Sequence, residues 1–183
     1  MAELPDPRQT LGEDDRARLE AVMRQRHETE PAEVYLRMFN NPDVAALVGD
    51  LGAHLRYHGV LPDDVRELVI LHLARRMGLA YEWAHHVRFA RAAGITDTTV
   101  AALAAEKKPS GLRDEQVAAL AAADATHELR SIPASVQRVL DDAYGAKGVV
   151  ELVAVVGLYR LIGGVIAAFD VRLEPRFDPP AWG

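Results

Sequence analysis

The sequence predicts an all-α protein of about seven to eight helices, and three observations carry that prediction. Apolar residues recur at helical spacing, prolines and capping residues bracket each run, and no segment sustains the alternation of a strand. From Glu13 to about His27, Leu19, Val22 and Met23 form one apolar stripe among charges. Asn41-Pro42 offers an N-cap and a first-turn proline for a helix running through Val44, Leu47, Val48 and Leu51 toward His58. Gly59 and Pro62 punctuate the next boundary. A helix follows over Asp63–Arg76, closed by Gly78 as a left-handed cap. Residues 79–93 form the next helix and stop at Gly94, and Thr96-Asp97 opens a short one. The second half adds an alanine-rich helix over Asp114–Leu129, one over Ala134–Tyr144 and a long apolar one over Gly148–Phe169.

Residues 1–12 read as a flexible arm, 13–171 as a single domain, and 172–183, with Pro175, Pro179 and Pro180, as an irregular tail. A net charge of -6 leaves no basic surplus for phosphates and argues against nucleic-acid binding. The absence of cysteine excludes disulfides, thiolate metal sites and thiol redox chemistry. The N-terminus lacks the pattern of a signal peptide. The most apolar run, 148–169, carries Glu151 and Arg160, so no membrane span is expected and a cytoplasmic protein is.

Chemistry concentrates between Arg66 and His86. Glu82 and His86 lie four apart, about 40° from each other on one helical face, so their side chains can touch. Glu67 sits on the preceding helix, close enough in sequence for the two helices to pack as a hairpin. Carboxylates and an imidazole in an apolar setting are parts for proton chemistry at neutral pH. The bland readings are a structural i,i+4 pair for Glu82–His86 and a first-turn residue complementing the helix dipole for Glu67.

Leu61-Pro62, Arg66-Glu67-Leu68-Val69-Ile70, Tyr81-Glu82-Trp83, His86 and Ala92-Ala93-Gly94 together resemble the carboxymuconolactone decarboxylase family. That family shares its helical core with the alkylhydroperoxidase D proteins, so the resemblance implies an alkylhydroperoxidase D-like helical domain. It covers roughly residues 36–170 and is strongest between 61 and 103. Anchored on His86, it puts Leu79 and Glu82 where the peroxidase branch has its cysteine pair, and that branch's glutamate on Glu67. The glutamate and histidine carry over; the redox pair does not, which excludes thiol peroxidase activity.

The resemblance implies a cofactor-independent carboxy-lyase acting on a small carboxylated lactone or related unsaturated carbonyl compound. Glu67, Glu82 and His86 are the expected catalytic residues. His86 is the candidate proton donor, Glu82 orients it or relays charge, and Glu67 completes the relay or holds a protonated state raised by burial. His85, Trp83, His54 and His58 are candidate substrate-binding residues, with Arg56 or Tyr57 facing solvent nearby. Other proton-transfer enzymes (isomerase, cyclase or lactone hydrolase) and a non-catalytic ligand-binding or assembly relative are the alternatives.

Glu82-Trp83-Ala84-His85 is also a Glu-x-x-His motif, but a di-metal bundle needs two such motifs, so no metal is expected. Arg75-Arg76 complements the end of its helix or attracts an anionic substrate. The motif Glu67-Leu68-Val69 is echoed by Glu151-Leu152-Val153, too short a match to establish a duplication. Tyr159 and Arg160 interrupt the last helix, where Arg160 is expected to pair with a carboxylate across an oligomer interface or with substrate. The apolar surface of that helix favours association, and the resemblance points to a homotrimer or homohexamer. The expected partner is a small anionic organic substrate.

Overall fold

The structure, a computed structural model, describes residues 2–182, and among these there are eight α-helices and no strand. They are α1 (Glu13–Gln25), α2 (Glu33–Met38), α3 (Pro42–Tyr57), α4 (Asp63–Arg76), α5 (Ala80–Ala92), α6 (Asp97–Ala104), α7 (Asp114–His127) and α8 (Ala134–Ala168). The hinge of the arrangement is α4. It is buried almost all round, from Val65 through Leu71 and again at Leu73 and Ala74, because α5, α6, α7 and α8 all pack on it. The alanines of α7 explain the close pairing with α8: Ala119, Ala122 and Ala123 are fully buried and let the backbones approach.

Local signals act where the sequence places them. The Asn41 side chain accepts from the Val44 amide at 3.3 Å and caps α3, and Thr96 caps α6 through the Thr99 amide at 3.2 Å. Gly78 and Gly94 end α4 and α5 at φ +66° and +89°. Within α8, Gly145 (φ 65°, ψ 174°) breaks the helix, so 134–144 and the segment after it are the two helices the sequence predicts, joined without a loop.

Two features depart from the sequence reading. Helix α2 has too few residues to show a period. Tertiary contacts hold it: Glu174 accepts from the Glu33 amide at 2.9 Å, and Val34, Tyr35 and Leu36 are core. The segment before α1 contains a 3-10 turn over Pro7–Gln9, buries Pro7 and Leu11, and is tied to the body by Arg37 and Asn40, which donate to the Leu4 and Pro5 carbonyls. The tail after α8 has no helix, yet it wraps back over α5, with Trp182 meeting Trp83 edge-on at 5.5 Å.

By length and composition α8 is apolar enough to cross a membrane, with an 18-residue window of mean hydropathy 2.0, and it is the one such helix among the described residues. The charge count at 148–169 did not anticipate this. Its polar groups, however, are used inside the protein. Glu151 Oε2 accepts from the amides of Val60 and Leu61 at 2.6 and 3.2 Å, pinning the turn that launches α4. Gly59 is required there: a Cβ would lie 2.8 Å from that oxygen and 2.9 Å from the Leu55 carbonyl. We expect Glu151→Ala to cost about 2–3 kcal/mol, because charge-assisted bonds to amides of the α3–α4 turn are lost. Urea unfolding measures it, and a change under 0.5 kcal/mol would show that water replaces the carboxylate. Arg160 is exposed on α8.

Candidate active site

Glu67 lies in the second turn of α4 and His86 in the middle of α5, and hairpin packing of the two helices brings them together. Glu67 Oε2 and His86 Nδ1 are 2.7 Å apart, with the residues 1% and 5% exposed. The other carboxylate oxygen, Oε1, accepts from Arg56 Nη2 at 3.2 Å and from Arg66 Nε and Nη2 at 3.4 Å. Arg66 also donates to the Arg56 carbonyl and pairs with Asp63. Arg56, at the end of α3, is buried against the Phe89 ring at 4.0 Å rather than facing solvent. The first-turn dipole role for Glu67 is thereby displaced by a buried charge cluster.

These contacts determine where the protons sit. Burial pushes the Glu67 carboxyl up, but His86, Arg56 and Arg66 outweigh it and hold it well below the ordinary range. It is a carboxylate, acceptor only, so His86 must donate from Nδ1. Burial lowers the His86 imidazole to about 4, against the pull of Glu67, so the ring is neutral and Nε2 carries a lone pair. Facing that nitrogen is the Tyr159 hydroxyl at 3.1 Å. Burial raises the phenol, which keeps its proton and donates.

Glu82 behaves in the opposite way from Glu67. Its carboxyl is 3.6 Å from His86 Nε2 and has no hydrogen bond among the described residues. Burial, only partly offset by Arg26 and Arg56, raises it to about 7. Glu82 is therefore the group that holds an exchangeable proton near neutrality, and Glu67 is the one that orients the imidazole. The protonated state expected as one option for Glu67 is found at Glu82 instead. The reason is that the arginines reach Glu67 and leave Glu82 unpaired. Among the residues around this pair, Tyr35 accepts from Arg26 Nη1 at 3.0 Å, and Arg26 pairs with Glu28 at 3.3 Å.

The pH dependence follows from Glu82. A carboxyl raised from about 4.5 to about 7 stabilises the fold fully below its unfolded value, and that contribution is lost as pH rises through 7. His86 works oppositely over the same window, since a lowered imidazole loses stability as pH falls from 6.5 toward 4. Wild-type stability alone therefore shows little. The difference between Glu82→Gln and wild type isolates the glutamate: near zero at pH 4.5, rising to roughly 3 kcal/mol in favour of the variant at pH 8. Denaturant titrations at both pH values measure it. An equal difference at the two would mean that Glu82 titrates normally.

The remaining expected site residues are not gathered here. His85 points away from His86, pairs with Glu174 at 2.7 Å, and is stacked on Tyr81 at 4.5 Å with Phe177 on its other side. The Glu-x-x-His motif is thus split, Glu82 toward His86 and His85 toward the tail, and no cluster of three or more metal-ligating groups exists among the described residues. Trp83 belongs to a second apolar cluster with Leu68, Leu71 and Trp182. His54 on α3 and His58 just after it are exposed, with ring centroids 6.2 Å apart, and line a surface groove with Asp50 and Tyr57. The sequence reading missed Arg56 and the part played by Tyr159. A tyrosine interrupting an apolar helix was the only signal of the latter, and an arginine among exposed residues gave none of the former.

The model of the Carboxymuconolactone decarboxylase family matches residues 42–125, which span α3 to α7 and include Glu67, Glu82 and His86. The debrominase Bmp8, solved both apo and as an alanine variant in complex with 2,3,4-tribromopyrrole, superposes with TM-score 0.72 at 21% identity over 90% of each chain. A protein of unknown function from Agrobacterium tumefaciens, ATU0492, described as a putative antioxidant defence protein AhpD, superposes with TM-score 0.65 at 15% identity over 75% of this chain and 94% of its own. No curated protein matches the chain in sequence. The family model thus matches the segment that holds all three relay residues, and the chain has the AhpD-like helical fold.

Proposed function

We propose that this protein is a small-molecule enzyme that moves protons without a cofactor or metal, acting on a small carboxylated lactone or related unsaturated carbonyl compound. The observation that carries this reading is a buried, unpaired Glu82 poised near pH 7 beside the Nε2 of a neutral, oriented His86. A structural pair gains nothing from leaving one carboxyl unpaired in the interior, whereas a general acid needs that state.

In the decarboxylation, the bond between the ring carbon and the carboxylate breaks, carbon dioxide leaves, and the electron pair passes into the conjugated carbonyl as a dienolate. Glu82 then returns a proton to carbon, and His86 takes up the next proton at Nε2 and passes it on. Glu67 keeps the imidazole in this tautomer, and the Tyr159 hydroxyl steadies it. Buried Arg56 and Arg26 favour an anionic substrate and stabilise negative charge as it develops. The experiment is direct assay of a carboxylated muconolactone for carbon dioxide release. Turnover abolished in Glu82→Gln supports the reading, and turnover unchanged in that variant overturns it.

The same reading includes a homo-oligomer, a trimer or hexamer. Val44, Leu47 and Leu51 line an exposed face of α3, and Val150, Val153 and Leu161 one of α8. Apolar stripes on two adjacent helices suit burial between copies. Light scattering should give a mass of three or six chains, and Leu47→Glu should reduce it. A wild-type monomer at micromolar concentration would remove this part of the proposal.

A further inference from the structure

The far end of α4 from Glu67 borders a groove of about 560 Å³ with no part in the relay. Glu67 and Arg75 are eight residues apart on α4, roughly 12 Å along the axis. The floor of the groove is apolar, formed by Leu103 of α6, Leu112 before α7, and Val117 and Leu120 of α7. Its rim is basic. Of the lining residues, Arg75, Arg76, Lys107 and Lys108 outnumber Glu106 and Asp124 by two, and with Glu128 beside Arg76 a local excess of one positive charge remains on a chain of net charge -6.

Each charge has a distinct standing. Arg75 donates to the Ala104 carbonyl at 2.9 Å and pairs with Glu106 at 3.1 Å; Arg76 pairs with Glu128 at 2.7 Å. Asp124 is shared between His72 at 2.8 Å and Arg76 at 3.4 Å, so its charge is already met. Lys107 and Lys108 make no ion pair among the described residues. They are two of the three lysines in the whole chain and stand beside each other in the α6–α7 connection. Two free ammonium groups over an apolar floor of ligand-pocket size form a site for a molecule with one charged end.

We propose that this groove is a second ligand site, distinct from the relay, for a small amphipathic monocarboxylate of the short acyl or aryl type. The carboxylate sits between Lys107 and Lys108 and the apolar body on Leu112, Val117 and Leu120. The groove tolerates a range of bodies, since lysines hold an anion as mobile point charges, without the fixed fork of arginine. An acidic peptide suits it less, because Glu106 and Asp124 would stand against a run of carboxylates.

The test is calorimetric titration of octanoate and benzoate into the full-length protein. Both should bind, with affinity for octanoate falling at least tenfold in Lys107→Gln/Lys108→Gln and in Leu120→Gln, while His86→Asn binds like wild type. Octanol, matched in length but uncharged, should bind at least tenfold more weakly than octanoate. The proposal is overturned by absence of binding at millimolar octanoate, by lysine variants that bind normally, by octanol equal to octanoate, or by loss of binding in His86→Asn. Tighter binding of an oligoglutamate peptide than of octanoate would assign the groove to a protein partner instead. The lysines are exposed and the double variant retains the core, so a normal melting curve separates lost binding from lost fold.

Discussion

Replacing His86 with asparagine should lower turnover by roughly 10²–10⁴-fold while leaving the protein folded. The choice of asparagine follows from the geometry. Its amide nitrogen stands close to where Nδ1 is, so it can still donate to the Glu67 carboxylate, while nothing remains at the position of Nε2. The variant thus removes the atom that faces Tyr159 and Glu82 and keeps the contact that anchors α5 to α4. Glu82→Gln should be impaired to a similar degree, and the double variant should be little worse than either alone, because groups acting as a unit are not additive. Tyr159→Phe should cost less, since it steadies the ring without carrying the moved proton. Turnover at full strength in His86→Asn would reject the relay even with the fold intact.

The second large effect is on stability. Glu67→Ala should destabilise the fold by about 3–5 kcal/mol, because the buried guanidinium of Arg56 loses its carboxylate and the His86 Nδ1–H loses its acceptor. For a chain of this size that is a fall in melting midpoint of roughly 10 °C. Glu82→Ala is the contrast. It removes a carboxyl with no ion-pair partner within hydrogen-bonding distance, so at pH 8 its cost should be far smaller than that of Glu67→Ala. Thermal unfolding of both at one pH compares them. Equal losses would mean that the arginines do not distinguish the two carboxylates, and the division of labour proposed for them would fall.

The two glutamates and the histidine were legible as a unit because each breaks a local rule. A charged residue in an apolar helical run calls for a partner, and four-residue spacing on α5 supplies one candidate. Their division of labour was not legible. It depends on Arg56, eleven positions before Glu67 and on the preceding helix, and nothing about its neighbours His54, Leu55 and Tyr57 marks it as buried. It depends also on Tyr159, which reaches His86 from 73 residues away.

What the sequence determines by itself is therefore what is encoded within a turn or two of chain: the all-α class, five helix starts marked by proline, asparagine, threonine or aspartate, the stops at Gly78 and Gly94, the separation of the last two helical segments, and the exclusion of thiol chemistry. Tertiary structure alone decides the rest. It forms α2 by way of Glu174, turns His85 and Trp83 away from the relay, and exposes Arg160 while burying Arg56. It also makes Glu67 a carboxylate and leaves Glu82 near pH 7. The physical reason is one of range: caps and periodicity act between residues a few positions apart, whereas desolvation and buried charge depend on which distant side chains share the same few ångströms.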